Sequence, residues 1–182
     1  MGMAVPVYYT ADMVRALPDY GSRYELVYGE LLVTPAPRLW HQAIVGRLHE
    51  ALSVYLRRYP VGHPLMSPAD ISWTSDTLVQ PDVFVADLAE VRPLDWSQVK
   101  RLLLAVEVLS SSTARYDRFT KRRLYQEVGV PKYWIVDLNE KLVEVWTPGD
   151  AQPTMQEDRV VWSPPGAEEP LEIQLLELFK AI

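Results

Sequence analysis

The stretch RLLLAVEVLSSSTARYDRFTKRRLYQEVGVPKYWIVD, Arg101–Asp137, decides the fold. Its opening, Arg101 to Leu109, is almost wholly apolar, which fits a central strand covered on both faces better than a surface strand with alternating character. Ser110, Ser111, Ser112 and Thr113 then offer hydroxyl N-caps for a helix from about Ala114 to Val128, which Gly129 and Pro131 terminate. Lys132 to Leu138 resumes as a strand and turns back through Asn139-Glu140 into Lys141 to Trp146, a hairpin.

Working outward, Leu78 to Ala86 reads as a strand, Ala89 to Gln98 as a loop or helical turn, and His63 to Trp73 as irregular chain that becomes β-rich late. Leu39 to Tyr59 is the clearest long helix, with Ile44, Leu48, Leu52 and Tyr55 or Leu56 at helical spacing and Pro60 and Gly62 as stops. Gly29 splits Tyr24–Tyr28 from Glu30–Val33 as a tight hairpin, and Thr10 caps a short helix to Leu17. Downstream, short strands are expected near Val160–Trp162 and Leu171–Ile173, with an amphipathic turn over Leu175–Phe179. The fold class is α/β (α+β): a mixed sheet flanked by helices, with an N-terminal β-hairpin.

The 182 residues suffice for one domain with a real core, expected over 1–182 with its centre at about 24–146. There is no cysteine, which excludes disulfides, zinc–thiolate sites, iron–sulfur clusters and a cysteine nucleophile, and fits a cytoplasmic setting. No apolar run is long enough to span a bilayer, and the N-terminus lacks the pattern of a signal peptide, so no membrane association is expected. A net charge of −6 argues against coating nucleic acid by bulk electrostatics. It leaves room for an enzyme that meets phosphate at one local site through acidic metal ligands.

Glu107 is the first candidate for chemistry. It sits inside LLLAVEVL, Leu102–Leu109, where an unpaired carboxylate would cost several kcal/mol (~3 or more) to bury, so a cation, a metal or a proton must compensate it. By alternation it shares a face with Ala105 and Leu103. Asp82 follows Pro81, whose missing N–H suits a sheet edge or bulge. If the two strands are antiparallel neighbours, Asp82 and Glu107 converge, and hard divalent cations prefer such oxygen ligands. A helical wheel groups Asp117 and Lys121 with Leu124, Tyr125 and Val128, which aims Lys121 at the strand ends. Two acids, a lysine and a hard cation form a kit for phosphodiester hydrolysis: the metal polarises the phosphoryl group and generates hydroxide, and the lysine orients water or stabilises charge.

QPDVFVAD (Gln80–Asp87), LLLAVEVLSSST (Leu102–Thr113) and YDRFTKRRLYQEVGVPKYWIVD (Tyr116–Asp137) together resemble a widespread bacterial family of restriction-endonuclease-like proteins in the PD-(D/E)XK nuclease superfamily. Upstream, YELVYGELLVTPAPRLWHQAIVGRLHEAL (Tyr24–Leu52) fits the same family. The resemblance implies an α/β nuclease core and Mg2+-type catalysis, and names no natural substrate. The function expected from the whole sequence is a Mg2+- or Mn2+-dependent DNA endonuclease, with DNA or another nucleic acid as partner. Pro81-Asp82 matches the PD pair and Glu107 the following acid. Leu109 stands where the lysine is expected, and Lys121 matches a position to which that lysine has moved in the related family. Glu30 matches an acid near the first hairpin, and His41 a histidine at the start of the long helix. A homodimer or higher homo-oligomer is a fold-level analogy with nucleases that cut both strands.

Plainer readings stand beside these. Glu107 could pair with Lys121 or an arginine without metal, and Glu30 could be a solvated hairpin carboxylate. His41 could cap or pack, and Asp117 could balance charge at the helix start. Arg115, Arg118, Lys121, Arg122 and Arg123 form a basic run that reads either as a solvated face or as contacts to phosphate, with Arg118 and Arg122 as candidates. At the level of the whole protein, the alternatives to an endonuclease are a non-catalytic nucleic-acid-binding or regulatory module on the same fold, and a structural oligomer that pairs through the Lys141–Trp146 edge.

Overall fold

The computed structural model describes residues 7–18 and 21–182, so the reading of residues 1–6 lies outside the described chain. At its centre lies β5, Leu102–Val108. It belongs to a six-stranded sheet in the order β3 (His63–Met66), β4 (Val83–Ala86), β5, β6 (Tyr133–Asp137), β7 (Leu142–Trp146) and β8 (Thr154–Gln156). β5 and β6 run parallel, and the other neighbours are antiparallel, so the sheet is mixed. A parallel pair needs a crossover across one face, and the helical segment after β5 supplies it.

Both faces of β5 are covered, as its apolar run requires. On one face α2, Leu39–Arg58, lays Ile44, Leu48 and Leu52 over Val83, Val85, Leu104, Val106 and Trp134. The antiparallel pair β9 (Arg159–Trp162) and β10 (Leu171–Gln174) extends that layer, as does α5 (Leu175–Leu178). On the other face Leu124 and Tyr125 of α4, Arg122–Glu127, pack on Phe84, Ala105, Tyr133 and Ile135. The hairpin of β1 (Arg23–Val27) and β2 (Glu30–Thr34) joins α1 (Ala11–Arg15) in a smaller cluster of Ala11, Val14, Leu26 and Leu78. Gly29 turns the hairpin with φ +76°, and the Tyr8 ring lies where a Cβ would stand. Between β4 and β5 the chain forms only α3, Leu88–Val91, and a short 3-10 turn, Trp96–Gln98.

The structure departs from the sequence reading at five places. In His63–Trp73 the strand comes early, as β3, and later only Ile71 bridges Val79. Pro64 is tolerated there because β3 is an edge strand. Leu78–Ala86 is not one strand: Leu78 bridges Leu26, Val79 bridges Ile71, and the ladder restarts at Val83 beyond Pro81. A bulge in β5 shifts the register from Val85↔Leu104 to Ala86↔Leu102. Leu103 therefore packs with the α2 face and not beside Glu107; a Cβ on Gly62 would stand 2.9 Å from its Cδ1. The expected Ala114–Val128 helix opens into a π-helical turn over Tyr116–Lys121, where the Arg122 N–H reaches back to the Asp117 carbonyl. Lastly, Lys141–Trp146 is not an edge, since β8, drawn from the polar stretch after Pro148, pairs along β7. No helix among the described residues is long and apolar enough to cross a membrane.

Candidate active site

Because β5 and β6 are parallel, both end on the same side of the sheet, where the chain must leave in loops. Those loops, 110–114 and 137–139, face the segment 34–38 and the first turn of α2 across a cleft of about 640 Å³. Arg23, His41, Asp82, Glu107, Asp117 and Arg118 all line it.

Asp82 enters from the residue before β4. Val83 pairs with Val106, so one further step of the antiparallel register sets Asp82 across from Glu107. Its Oδ2 accepts the Val108 N–H at 2.9 Å and lies 3.2 Å from His41 Nε2, while Oδ1 accepts Arg23 Nη1 at 2.7 Å. Glu107 Oε1 accepts Lys121 Nζ at 2.9 Å and the Tyr125 hydroxyl at 3.1 Å, and its Oε2 lies 3.7 Å from Arg23 Nη2. Glu25 completes the ring: its Oε1 lies 2.8 Å from Lys121 Nζ and accepts the Gln80 N–H at 2.8 Å, and its Oε2 lies 3.4 Å from Arg23 Nη2. Asp117 Oδ1 is 3.5 Å from Lys121 Nζ and is buried without a hydrogen bond.

Four carboxylates, Glu25, Asp82, Glu107 and Asp117, thus surround two permanent cations, Arg23 and Lys121, and all four acids are buried. Net negative charge remains in a poorly solvated place, and the acids respond unequally. Burial would raise Asp82, but the His41 hydrogen bond and the Arg23 charge outweigh it and hold its pKa well below the usual carboxylate range. Burial pushes Glu107 well above that range, and Asp82, Asp117 and Glu25 add to the push while Lys121 only partly opposes it. Asp117 is raised to about 6, chiefly by burial, against the charge of Lys121. Lys121 loses by burial and gains more from Glu107, Glu25 and Asp117, so it stays charged above its ordinary range.

Asp82, Glu107 and Lys121 therefore converge, but Lys121 is only 1% exposed and does not line the cleft; it holds Glu107 and Glu25 from behind. The wide π-helical turn brings Asp117 and Lys121 to one face, and the Tyr133 hydroxyl pins it through the Asp117 carbonyl at 3.1 Å. Glu30 lies elsewhere: it is exposed at the start of β2, opposite Val27. The hairpin acid that reaches the cluster is Glu25. His41 lies in the first turn of α2 against Asp82. Arg118 lines the cleft but is held by Asp137 at 2.7 Å and Glu144 at 2.6 Å. Arg122 turns away over the Trp146 ring and bonds Gln126, and Arg123 lies over Tyr28 and pairs with Glu127. The basic run is thus fanned around the helix and forms no single patch.

Arg23 and Glu25 were not singled out by the sequence reading. A signal was present: in Arg23-Tyr24-Glu25-Leu26-Val27 alternation puts both charges on the face of Val27, and that face is buried.

Oxygen donors suit a hard divalent cation. Among the described residues no three His, Asp or Glu side chains form a ready-made metal cage. Two buried carboxylates lining a cleft are nonetheless the protein share expected for Mg2+, which keeps waters and takes further ligands from substrate phosphate.

The architecture is similar to a solved structure described as a putative nuclease belonging to DUF820 from Anabaena variabilis, with a TM-score of 0.75 and 19% identity, covering 93% of this chain and 97% of that one. At that identity the likeness establishes the restriction-endonuclease-like fold. No curated protein matches the chain. The sequence itself matches the family Uma2, described as "Putative restriction endonuclease", over residues 11–178. With nearly its whole length matched, the chain belongs to the Uma2 family.

Proposed function

We propose that this protein is a divalent-metal-dependent endonuclease that hydrolyses DNA phosphodiester bonds in the cleft at the ends of β5 and β6. The observation that carries this reading is the crowding of acids: four buried carboxylates face two permanent cations, so all four ionise together only if a further positive charge such as a divalent cation is supplied, and without it Glu107 and Asp117 are pushed toward their protonated forms. Asp82 and Glu107 would hold the ion, which supplies Lewis-acid polarisation of the phosphate and an activated water. Lys121 acts as a positioning residue that fixes the Glu107 and Glu25 carboxylates. His41 orients Asp82, and Arg118, paired with Asp137 and Glu144, is one of the arginines on the cleft wall that a phosphate oxygen would meet. Mg2+ is favoured over a softer ion by the all-oxygen donors, with Mn2+ as its substitute.

One observation favours a second reading. Arg23 already bridges Asp82, Glu107 and Glu25, so the cluster could be a self-sufficient ion network in a nucleic-acid-binding or regulatory module. Metal titration separates the two. The wild type should bind Mn2+ at a site lost in the Asp82→Asn, Glu107→Gln double variant, and highly purified protein should nick plasmid or single-stranded DNA only with metal. Equal Mn2+ binding by wild type and double variant would remove the nuclease reading. Metal binding without any cleavage would favour the module.

A further inference from the structure

The guanidinium of Arg23 stands among three of the four buried acids. It reaches Asp82 Oδ1 at 2.7 Å, Glu25 Oε2 at 3.4 Å and Glu107 Oε2 at 3.7 Å. Its contact with Glu107 is long, so it neutralises that acid poorly. The side chain is 25% exposed where those carboxylates are 1–5% exposed, so among these groups it reaches furthest toward the open side of the cleft that Asp82 and Glu107 also line. Its Nε is buried with no hydrogen-bond partner among the described residues, a donor left over by this arrangement. Lys121, the other cation, is locked from behind by Glu25 and Glu107. Of the two, only Arg23 has a path to the open side.

We propose that Arg23 occupies the position between Asp82 and Glu107 that a divalent cation takes, and that on metal loading it turns into the cleft to bind a substrate phosphate. The inference rests on the metal-dependent reading above and adds a role for a residue outside the two acids and the lysine. Three features carry it. Among the described residues Arg23 is the one cation paired with both Asp82 and Glu107. Two cations cannot share one gap between two carboxylates without mutual repulsion, so binding there has to release the guanidinium. Once released, it is a planar fork on the cleft wall, suited to two phosphate oxygens at once.

Calorimetric titration of Mn2+ into the full chain tests the exchange. Arg23→Met should bind Mn2+ about tenfold more tightly than wild type, roughly one charge-assisted hydrogen bond that no longer has to break. Arg23→Lys should fall between them. Arg38→Met, which removes a charge from the cleft wall, should shift affinity less than about twofold. Equal or weaker Mn2+ binding by Arg23→Met overturns the inference. If that variant does not fold, as judged by circular dichroism, the wild type decides. Phenylglyoxal modification of Arg23, followed by mass spectrometry, should speed up with Mn2+, and an unchanged or slower rate overturns the inference. For the phosphate, thymidine 3′,5′-bisphosphate should bind Arg23→Met about tenfold more weakly than wild type at saturating Mn2+. Equal affinity there overturns the second half. A wild type that binds no more Mn2+ than the Asp82→Asn, Glu107→Gln variant defeats the metal reading itself, a result distinct from a failed exchange.

Discussion

One strand, β5, serves two opposite kinds of interior. Toward α2 it presents Leu104, Val106 and Val108, packed with Ile44, Leu48, Leu52 and Trp134, and that side is held by apolar burial alone. Toward the π-helical turn it presents Ala105 and then Glu107, where packing gives way to a ring of buried charge. The first interior is built of apolar side chains and has no charges to match. The second is stable only so far as its charges are matched, and they are not fully matched. Function is expected on the side where the fold tolerates a deficit, because only there does a ligand have something to supply.

The comparison is sharpest at Lys121. Lys121→Ala should destabilise the protein by about 3–5 kcal/mol in chemical denaturation, since Glu107, Glu25 and Asp117 would lose their common partner. A loss under about 1 kcal/mol would mean the acids are protonated or otherwise satisfied. Leu52→Ala, fully buried beneath α2, should cost about 2–5 kcal/mol, and that cost should be the same with and without Mn2+. If Mn2+ changed it, the two interiors would be coupled rather than distinct.

Smaller effects probe the charged side alone. Asp117 is raised from 3.8 to about 6, so the folded state holds its proton more tightly than the unfolded chain does. Its contribution favours folding at low pH and is lost as pH rises from about 4 to about 6. Asp82 is lowered, and its contribution has the opposite sign: it is present above the ordinary carboxylate range and lost on acidification. Urea midpoints measured from pH 4 to 7 without metal should therefore rise less in wild type than in Asp117→Asn, and excess Mn2+ should narrow that gap. Glu107→Gln relieves the deficit by one charge and should leave stability unchanged or raise it by about 1 kcal/mol, while Mn2+ binding falls. Arg123→Ala, which breaks an exposed pair with Glu127, should change stability by less than about 1 kcal/mol and leave Mn2+ binding untouched.

How much of this was legible follows from the range of each signal. The helix α2, the strand β5, both hairpins and the α1 cap were readable because periodicity and capping act within a few residues. Asp82, Glu107 and Lys121 stood out because each is a charge inside an apolar pattern. Glu30 is named by resemblance alone, with a solvated hairpin carboxylate as its plainer reading, while the alternation of β1 puts Glu25 on the buried side. The bulge that carries Leu103 away from Glu107, and the π-helical turn that fans the arginines, left no pattern of their own. Both arise from how neighbouring elements meet.

By itself, then, the sequence determined the main helix, the central strand, both hairpins and the need to compensate Glu107, because these depend on local geometry and on the cost of burying charge, while the nuclease-like class came from its resemblance to a family. Only the tertiary structure decided which side chains provide that compensation. Arg23 and Glu25 come from a hairpin, Asp82 from the start of β4, and Lys121 from a turn on the far side of β5. Their meeting within 2.7–3.7 Å depends on sheet order and register, which act between segments and not along the chain.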